Sequence, residues 1–461
     1  MTTNSVSTIA RRSSRADLIV LGVELTLIAA AIVVGAVLNR RGVGLYAETA
    51  PIYAFWRPHL GWGTPIAVAV AVAVIVWGVR WARTARWGPL LGAGYLAAVA
   101  WTLALALVDG WSAGVAERLT NQAEYLHEVH RITDIAAMLA GFSDRILDFE
   151  PGSWSTHTAG HPPGALLVFV WLDRIGLGGG AAAGLACILI GATMVVSIPA
   201  TLRSLGAADA ARTVLPFLVL LPGAVWIGAS GDGVFTGVVA AGLALLAARH
   251  PVGPLAGGVL LGFALYLSYG FVLVGLLALA VLALRPGRFL PALLSAAAGV
   301  AAVAAAFTVA GFWWWDGYQL VVVRYYQGWA AERPYAYWVW ANLAAMLLSA
   351  GLVVGPALRR TIDAARRARL GLGDLSDGAV TRGWLRAAAR PTILLPLTAA
   401  VAIAAADLSG LSKAEVERIW LPFVVWLLVA TAHLPARTHR WWLAGQAATA
   451  LAVNHLLLTF S

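Results

Sequence analysis

Apolar runs long enough to cross a bilayer recur from one end of this chain to the other. A bilayer core asks for about 20 predominantly apolar residues per helix, and a dozen or more stretches approach that length. In hydrocarbon every backbone N–H and C=O must be paired within the protein, which leaves helices or a closed barrel. The roughly ten-residue alternation of a barrel strand is missing. The expected fold class is therefore all-α: one polytopic transmembrane domain over residues 1–461, with about 13 membrane helices. Only 12% of residues are charged, far too few to solvate a soluble chain of this size.

The net charge of +10 does not point to nucleic acid. Most arginines sit in short loops between apolar runs, as the positive-inside rule expects, and no basic stripe with interleaved aromatics forms a binding face. Lys413 is the single lysine, which with the abundance of Ala and Gly reads as GC-rich codon bias. The one cysteine, Cys187, lies inside an apolar run and excludes a disulfide or thiolate metal site. The apolar run from Leu18 to Leu38 is too long for a signal-peptide core and is expected to be a retained first helix.

Arg11, Arg12 and Arg15 place the N-terminus in the cytoplasm; Arg40 and Arg41 at the far end of that helix go against the rule. Membrane helices are expected near 17–38, 64–79, 88–108, 179–200, 213–229, 232–249, 253–269, 270–285, 289–312, 340–358, 391–408, 420–434 and 440–460. The segment opening at Pro162 reaches Asp173-Arg174 after about eleven residues, well short of a crossing. If it dips in and returns, or lies at the interface, thirteen crossings put Arg203, Arg212, Arg249, Arg285, Arg288 and the basic loop 359–390 in the cytoplasm. The polar stretches 109–161, 313–339 and 407–420, with Asp232 in a short turn, then share the extracytoplasmic face of a plasma-membrane protein.

The stretch from Ala123 to Gly164 is the most unusual. It holds six carboxylates, four histidines (His127, His130, His157, His161) and two arginines in a chain otherwise nearly free of charge. Ionisable residues at a membrane are costly and mark pathways or sites by default, so this loop is expected to carry the active site.

Glu124-Tyr125, followed thirty-seven positions after Glu124 by His161-Pro162-Pro163-Gly164, resembles a pattern of the GT-C superfamily of integral-membrane glycosyltransferases. Its protein O-mannosyltransferase-like and aminoarabinose-transferase-like members carry an acid, commonly Asp-Glu before a tyrosine, in the first large outer loop. A His- or Lys-Pro-Pro-Leu then opens the next helix. Ser230-Gly231-Asp232-Gly233 is similar to the short acid-bearing turn of that superfamily, and the resemblance covers roughly 110–290. Three departures stand out: Ala123 replaces the Asp of the pair, Gly164 replaces Leu, and the loop follows the third helix rather than the first. HPPG, RYYQG, RPYAYW and SKAEVERIWLPF are also similar to a group of actinobacterial membrane proteins, a resemblance that carries no activity with it.

The resemblance implies transfer of a sugar from a polyprenyl-phosphate donor to a cell-envelope glycan, lipid or protein. A carboxylate takes the acceptor's proton, and cations stabilise the departing phosphate, for which the guanidinium fork is best suited. Glu124 is the first choice for the base, Asp109 the second and Asp232 the third. Arg324, Arg333, Lys413 and Arg418 are the cations available to phosphate, with Glu417 beside them and His161 placed to donate to phosphate or sugar. Tyr125 and Tyr326, among the aromatics of the same loops, are placed to touch the substrate. No cofactor is specified, although a divalent metal ion stays open: His127, His130 and Asp134 fall at i, i+3 and i+7 of one helical face.

Each residue has a plainer use. Glu124 can be one charge on a solvated interfacial helix, Asp109 a helix boundary before Gly110, and Asp232 an N-cap. The Pro pair suits a first helical turn, and the aromatic stretch 313–339 suits an interfacial belt. A transporter or flippase of a lipid-linked or small substrate is the rival from another class; it predicts broken helices and polar residues near the midplane. A non-catalytic membrane scaffold is the third reading.

Overall fold

The computed structural model describes residues 3–369 and 390–459. The chain is about 74% helical and nearly all-α. Among the described residues six helices are long and apolar enough to cross a membrane: Ser14–Arg40, Gly63–Thr84, Trp87–Ala106, Gly180–Ser204, Phe289–Val309 and Pro391–Leu408. Two further pairs qualify only when each is taken as one bent span, Tyr335–Ala350 with Val354–Ala368 (96°) and Leu421–His433 with Ala436–Leu456 (119°), which brings the number to eight.

The remaining apolar stretches are helical too but short. Gly231–Ala247, the longest of Gly231–Ala247, Gly253–Leu265 and Tyr269–Leu284, rises only about 25 Å at 1.5 Å per residue, against a core of about 30 Å. The stretch expected at 213–229 is interrupted: Ala208–Val219 ends at Leu220, Pro222-Gly223 follow, and a single turn, Ala224–Ile227, resumes. The helix expected at 340–358 stops at Gly351, whose φ of 92° only glycine adopts freely. The chain then runs as Val354–Arg369, which takes in the start of the basic loop expected at 359–390; residues 370–389 lie outside the described residues.

The last helix, His439–Leu456, gives way to a three-residue strand instead of continuing to 460. That strand, Leu457–Thr459, pairs antiparallel with Ala54–Trp56. Small residues let helices approach at backbone distance, as membrane helices commonly do. A Cβ on Gly258 would lie 2.1 Å from the Ala296 carbonyl oxygen, so Gly253–Leu265 and Phe289–Val309 meet with almost nothing between them.

The helix opening at Pro163 runs twelve residues to Arg174, about 18 Å, too short to cross. Both of its ends touch the same loop. His161 bonds Tyr125, and Arg174 Nη2 donates to the Ile132 and Thr133 carbonyls at 2.7 and 3.0 Å. It therefore returns to the face it left.

Two faces result. One gathers the loops 109–161, 313–339 and 407–420 and the turn at Asp232. The other gathers helix ends rich in arginine: Arg359 and Arg360 grip Asp17 at 2.5 and 2.6 Å, Arg212 donates to the Ala82 and Ala85 carbonyls, and Arg285 to that of Ala248. We call them the carboxylate face and the arginine face.

Candidate active site

Glu124 is 2% exposed, in the turn that precedes the short helix Leu126–Val129. It is buried, not solvated, which sets aside the interfacial-helix use. Two backbone-directed bonds hold the turn against a distant segment: His157 N–H donates to the Ala123 carbonyl at 2.9 Å, and Ser155 Oγ to the Glu124 carbonyl at 3.3 Å. His157 Nδ1 then meets Glu124 Oε1 at 2.7 Å.

On its other side His157 Nε2 lies 3.3 Å from Arg418 Nη2. The same guanidinium donates to Asp232 Oδ2 at 2.9 Å and to Glu415 Oε2 at 2.5 Å. Four segments far apart in sequence thus converge on one chain of charge: Glu124, His157, Arg418, and the Asp232–Glu415 pair. Arg418 and Asp232 are 7% and 5% exposed, so the centre of the network is nearly dry and its charges act at short range, while His157 and Glu415 are half-buried at its edge.

Two turns that build it are strained. Ala414 and Glu415 are consecutive non-glycine residues at φ 73° and 63°, and Ala229, at φ 59°, leads into the Asp232 turn. Left-handed backbone costs roughly 1–2 kcal/mol per such residue and tends to collect at functional sites. Ser230, not Asp232, caps the helix Gly231–Ala247, its side chain accepting from Asp232 N–H. Asp232 is one turn position further in, free to take Arg418.

The electrostatics follow from two carboxylates on one guanidinium, with a third, Glu124, reached through His157. Burial pulls the Arg418 pKa down, but Glu415 and Asp232 outweigh it and raise it. Burial would push Glu415 up; Arg418, Arg333 and His157 overcome that and hold it at about 2. Burial likewise lowers His157, yet the Glu124 carboxylate leaves the imidazole above its ordinary value. Neutral His157 gives Nδ1–H to Glu124 and accepts from Arg418 at Nε2. Protonated, it keeps the first bond and turns a second N–H against the guanidinium.

Burial drives the His161 pKa down to about 4, which favours the neutral ring. Its Nδ1 lies 2.8 Å from the His157 carbonyl, so Nδ1 carries the proton; Tyr125 Oη is 2.9 Å from the same nitrogen. Nε2 is left with a lone pair. In that tautomer the free Nε2 is an acceptor, and it donates to a phosphate or sugar only when the ring is protonated. Tyr125 is 3% exposed, stacked on Phe169, and orients His161 rather than offering a contact surface.

Other expected site residues lie elsewhere on the carboxylate face. Asp109 belongs to a second network, bonded by His59 Nε2 at 2.7 Å and Arg118 Nη1 at 3.4 Å, with Arg118 also donating to Thr459. Arg324 pairs with Asp148 at 2.8 Å. Arg333 and Lys413, expected to grip phosphate, spend most of their donors on backbone, and Arg333 Nη1 also pairs with the network's Glu415 Oε1 at 3.4 Å. Arg333 reaches the Leu45, Tyr46 and Lys413 carbonyls, and Lys413 Nζ those of Ala330 and Arg333. They stitch three loops together. Tyr326 is half exposed, with Lys413 Nζ 5.5 Å from its ring centre. Glu417 is buried behind the network, one oxygen accepting Tyr53 N–H at 3.3 Å.

The expected metal face does not form, because the helix Leu126–Val129 ends before Asp134. Asp134 instead caps the next helix, Ile135–Ala140, accepting from Ala136 and Ala137 N–H. Among the described residues no group of three or more His, Cys, Asp and Glu is arranged to hold a metal ion. At the centre of the network, the carboxylates Asp232 and Glu415 close on the Arg418 guanidinium, which takes the place a cation would need.

His157 and Glu415 are the members absent from the expected site. His157 sits four positions before His161, but nothing in that spacing ties it to Glu124. No protein-family model, no curated protein and no solved structure matches the chain.

Proposed function

We propose that the protein is a plasma-membrane glycosyltransferase of GT-C type that moves a sugar from a polyprenyl-phosphate donor to an envelope glycan, lipid or protein. In this reading the carboxylate face is extracytoplasmic, and the three short apolar helices, the interrupted stretch 208–227 and the two arms of the last bent pair taken as separate spans bring the crossings to thirteen. The observation that carries it is the buried Glu124–His157–Arg418 network, assembled on one membrane face from four segments and two strained turns. Glu124 is the base. No hydrogen bond from the described residues reaches its Oε2, whereas Asp109 is held by His59 and Arg118 and Asp232 by Arg418.

As the acceptor oxygen bonds to the anomeric carbon, its proton passes to Glu124. The bond from that carbon to the phosphate oxygen breaks with inversion, and the electron pair leaves with the phosphate. Arg324 is the cation nearest to being available for that phosphate, because its partner Asp148 is 37% exposed and its own donors are not spent on backbone.

A transporter or flippase is the second reading, and it has its own observation. Two spans are broken, and Glu24, buried within the first span, accepts the Gly355 N–H at 2.7 Å at one of the breaks. Broken helices with an intramembrane carboxylate are transporter features.

The deciding experiment uses purified protein in nanodiscs with a panel of radiolabelled polyprenyl-phosphate sugars and envelope extract. Wild type is expected to bind a donor and transfer its sugar. Glu124→Gln should bind equally and lose transfer by at least about a hundredfold, the usual worth of a positioned base, while Asp232→Asn tests the second carboxylate. Folded wild type that binds no donor would reject the transferase.

A further inference from the structure

A cavity of about 370 Å³ opens at the arginine face, lined by Arg80, Arg83 and Thr84 at the end of one span and by Arg437 and Arg440 at the start of the last helix. It lies at the opposite end of Gly63–Thr84 from Asp109: Gly63, at the head of that helix, packs on the Leu107 and Val108 backbone. Among the described residues no carboxylate lines the cavity.

Two of the four guanidinium groups are anchored. Arg440 Nη2 donates to the Val76 carbonyl at 2.7 Å, inside the π turn Val74–Gly78, and Arg437 Nη2 to Ser14 Oγ at 3.4 Å. A π turn within an α-helix frequently marks a functional position. Arg80 and Arg83 have neither a carboxylate nor a hydrogen-bond acceptor among the described residues. Elsewhere on this face Arg359 and Arg360 close on Asp17, and Arg212 and Arg285 on carbonyls. Four like charges are brought together across two spans, two of them held in place and all of them solvent-exposed, and an anion between them relieves their repulsion. Forked N–H donors suit the tetrahedral oxygens of phosphate.

We propose that this cleft binds a phosphate-bearing anion, held by Arg80, Arg83, Arg437 and Arg440. The chemistry fits the head group of an anionic phospholipid or a soluble phosphate. Either ligand ties the end of Gly63–Thr84 to the last helix just beyond the 119° bend. The inference is independent of the transferase reading, since the cleft lies at the other membrane face and shares no residue with the carboxylate network.

The test uses the full-length protein in detergent, with binding read by native mass spectrometry and stabilisation by thermal unfolding. Phosphatidylglycerol, phosphatidylcholine and inorganic phosphate are the three probes. Wild type is expected to bind phosphatidylglycerol saturably and to melt higher with it, but not with phosphatidylcholine. The double variant Arg83→Gln/Arg437→Gln should weaken that binding about tenfold or more, the scale of a lost charge-assisted bond. Arg288→Gln, on the same face outside the cleft, should leave it unchanged. An equal response to inorganic phosphate would assign a soluble ligand, and its absence a lipid. If the double variant is poorly folded, Arg80→Gln alone is read in the same way. Equal binding by wild type and the cleft variants, or no saturable binding of either anion, overturns the proposal.

Discussion

Glu417 shows what burial does to one carboxylate in this protein. It is 1% exposed, and Oε2 has no hydrogen-bond partner. Burial pushes its pKa from an ordinary 4.5 up to about 7. The fold therefore favours the protonated form, and the unfolded chain gives up that proton first. This contribution to stability is complete below pH 4.5 and is lost as the pH rises through 7, by ~3 kcal/mol in all. Glu417→Gln removes the titration and keeps an acceptor for Tyr53 N–H. The variant should melt progressively higher than wild type between pH 5 and pH 8, in matched detergent. A difference that stays constant over that range would mean that Glu417 does not titrate there. At this scale the sequence reached Glu124, Asp232 and Arg418 as candidates, because charges are rare in the chain and each stands out. It reached the pairing of Arg418 with Glu415 beside it, but not the partners of Glu124 and Asp232. The Glu124–His157 pair and the Ala414–Glu415 strain depend on where loops fold back, and no local pattern carries that.

Individual helices were legible wherever apolar length alone decides the outcome, and less so where one residue or one neighbour does. The break at Gly351 rests on a positive φ, and the bend before Ala436 follows Leu434-Pro435. An N-cap displaced by two residues, from Asp232 to Ser230, changed the role assigned to a carboxylate. The His127, His130 and Asp134 face assumed one helix where the chain makes two. Gly164, read only as a departure from His-Pro-Pro-Leu, has a direct packing reason. A Cβ there would lie 2.5 Å from the Tyr266 carbonyl oxygen, so the first turn of Pro163–Arg174 rests on that backbone. Gly164→Leu should cost ~1–3 kcal/mol through overpacking and shift His161 away from Tyr125. Thermal unfolding of the purified variant measures the first effect. A melting temperature equal to wild type would show that the helix has room that the close approach denies it.

The separation into two faces joins these scales, because it turns residue contacts into a statement about the membrane. Glu124, Asp232 and Arg418 are in contact through one network, while Arg359, Arg212 and Arg285 each bind at the far ends of the same helices. The short helix Pro163–Arg174 preserves this by beginning and ending at one loop; had it crossed, every arginine-rich turn after it would have changed sides. Arginine-rich loops are retained in the cytoplasm, so the carboxylate face should be external. Cysteine labelling can decide this with little background, since the only native thiol, Cys187, is buried. Phe149, 82% exposed, marks the carboxylate face, and Arg288, also exposed, marks the arginine face. On intact cells a membrane-impermeant maleimide should label Phe149→Cys and reach Arg288→Cys only after permeabilisation. The reverse pattern would put the carboxylate network in the cytoplasm, away from the envelope acceptor that the transferase requires. Labelling of both positions from outside would mean that the helices between them cross an even number of times, against the odd number that two opposite faces require.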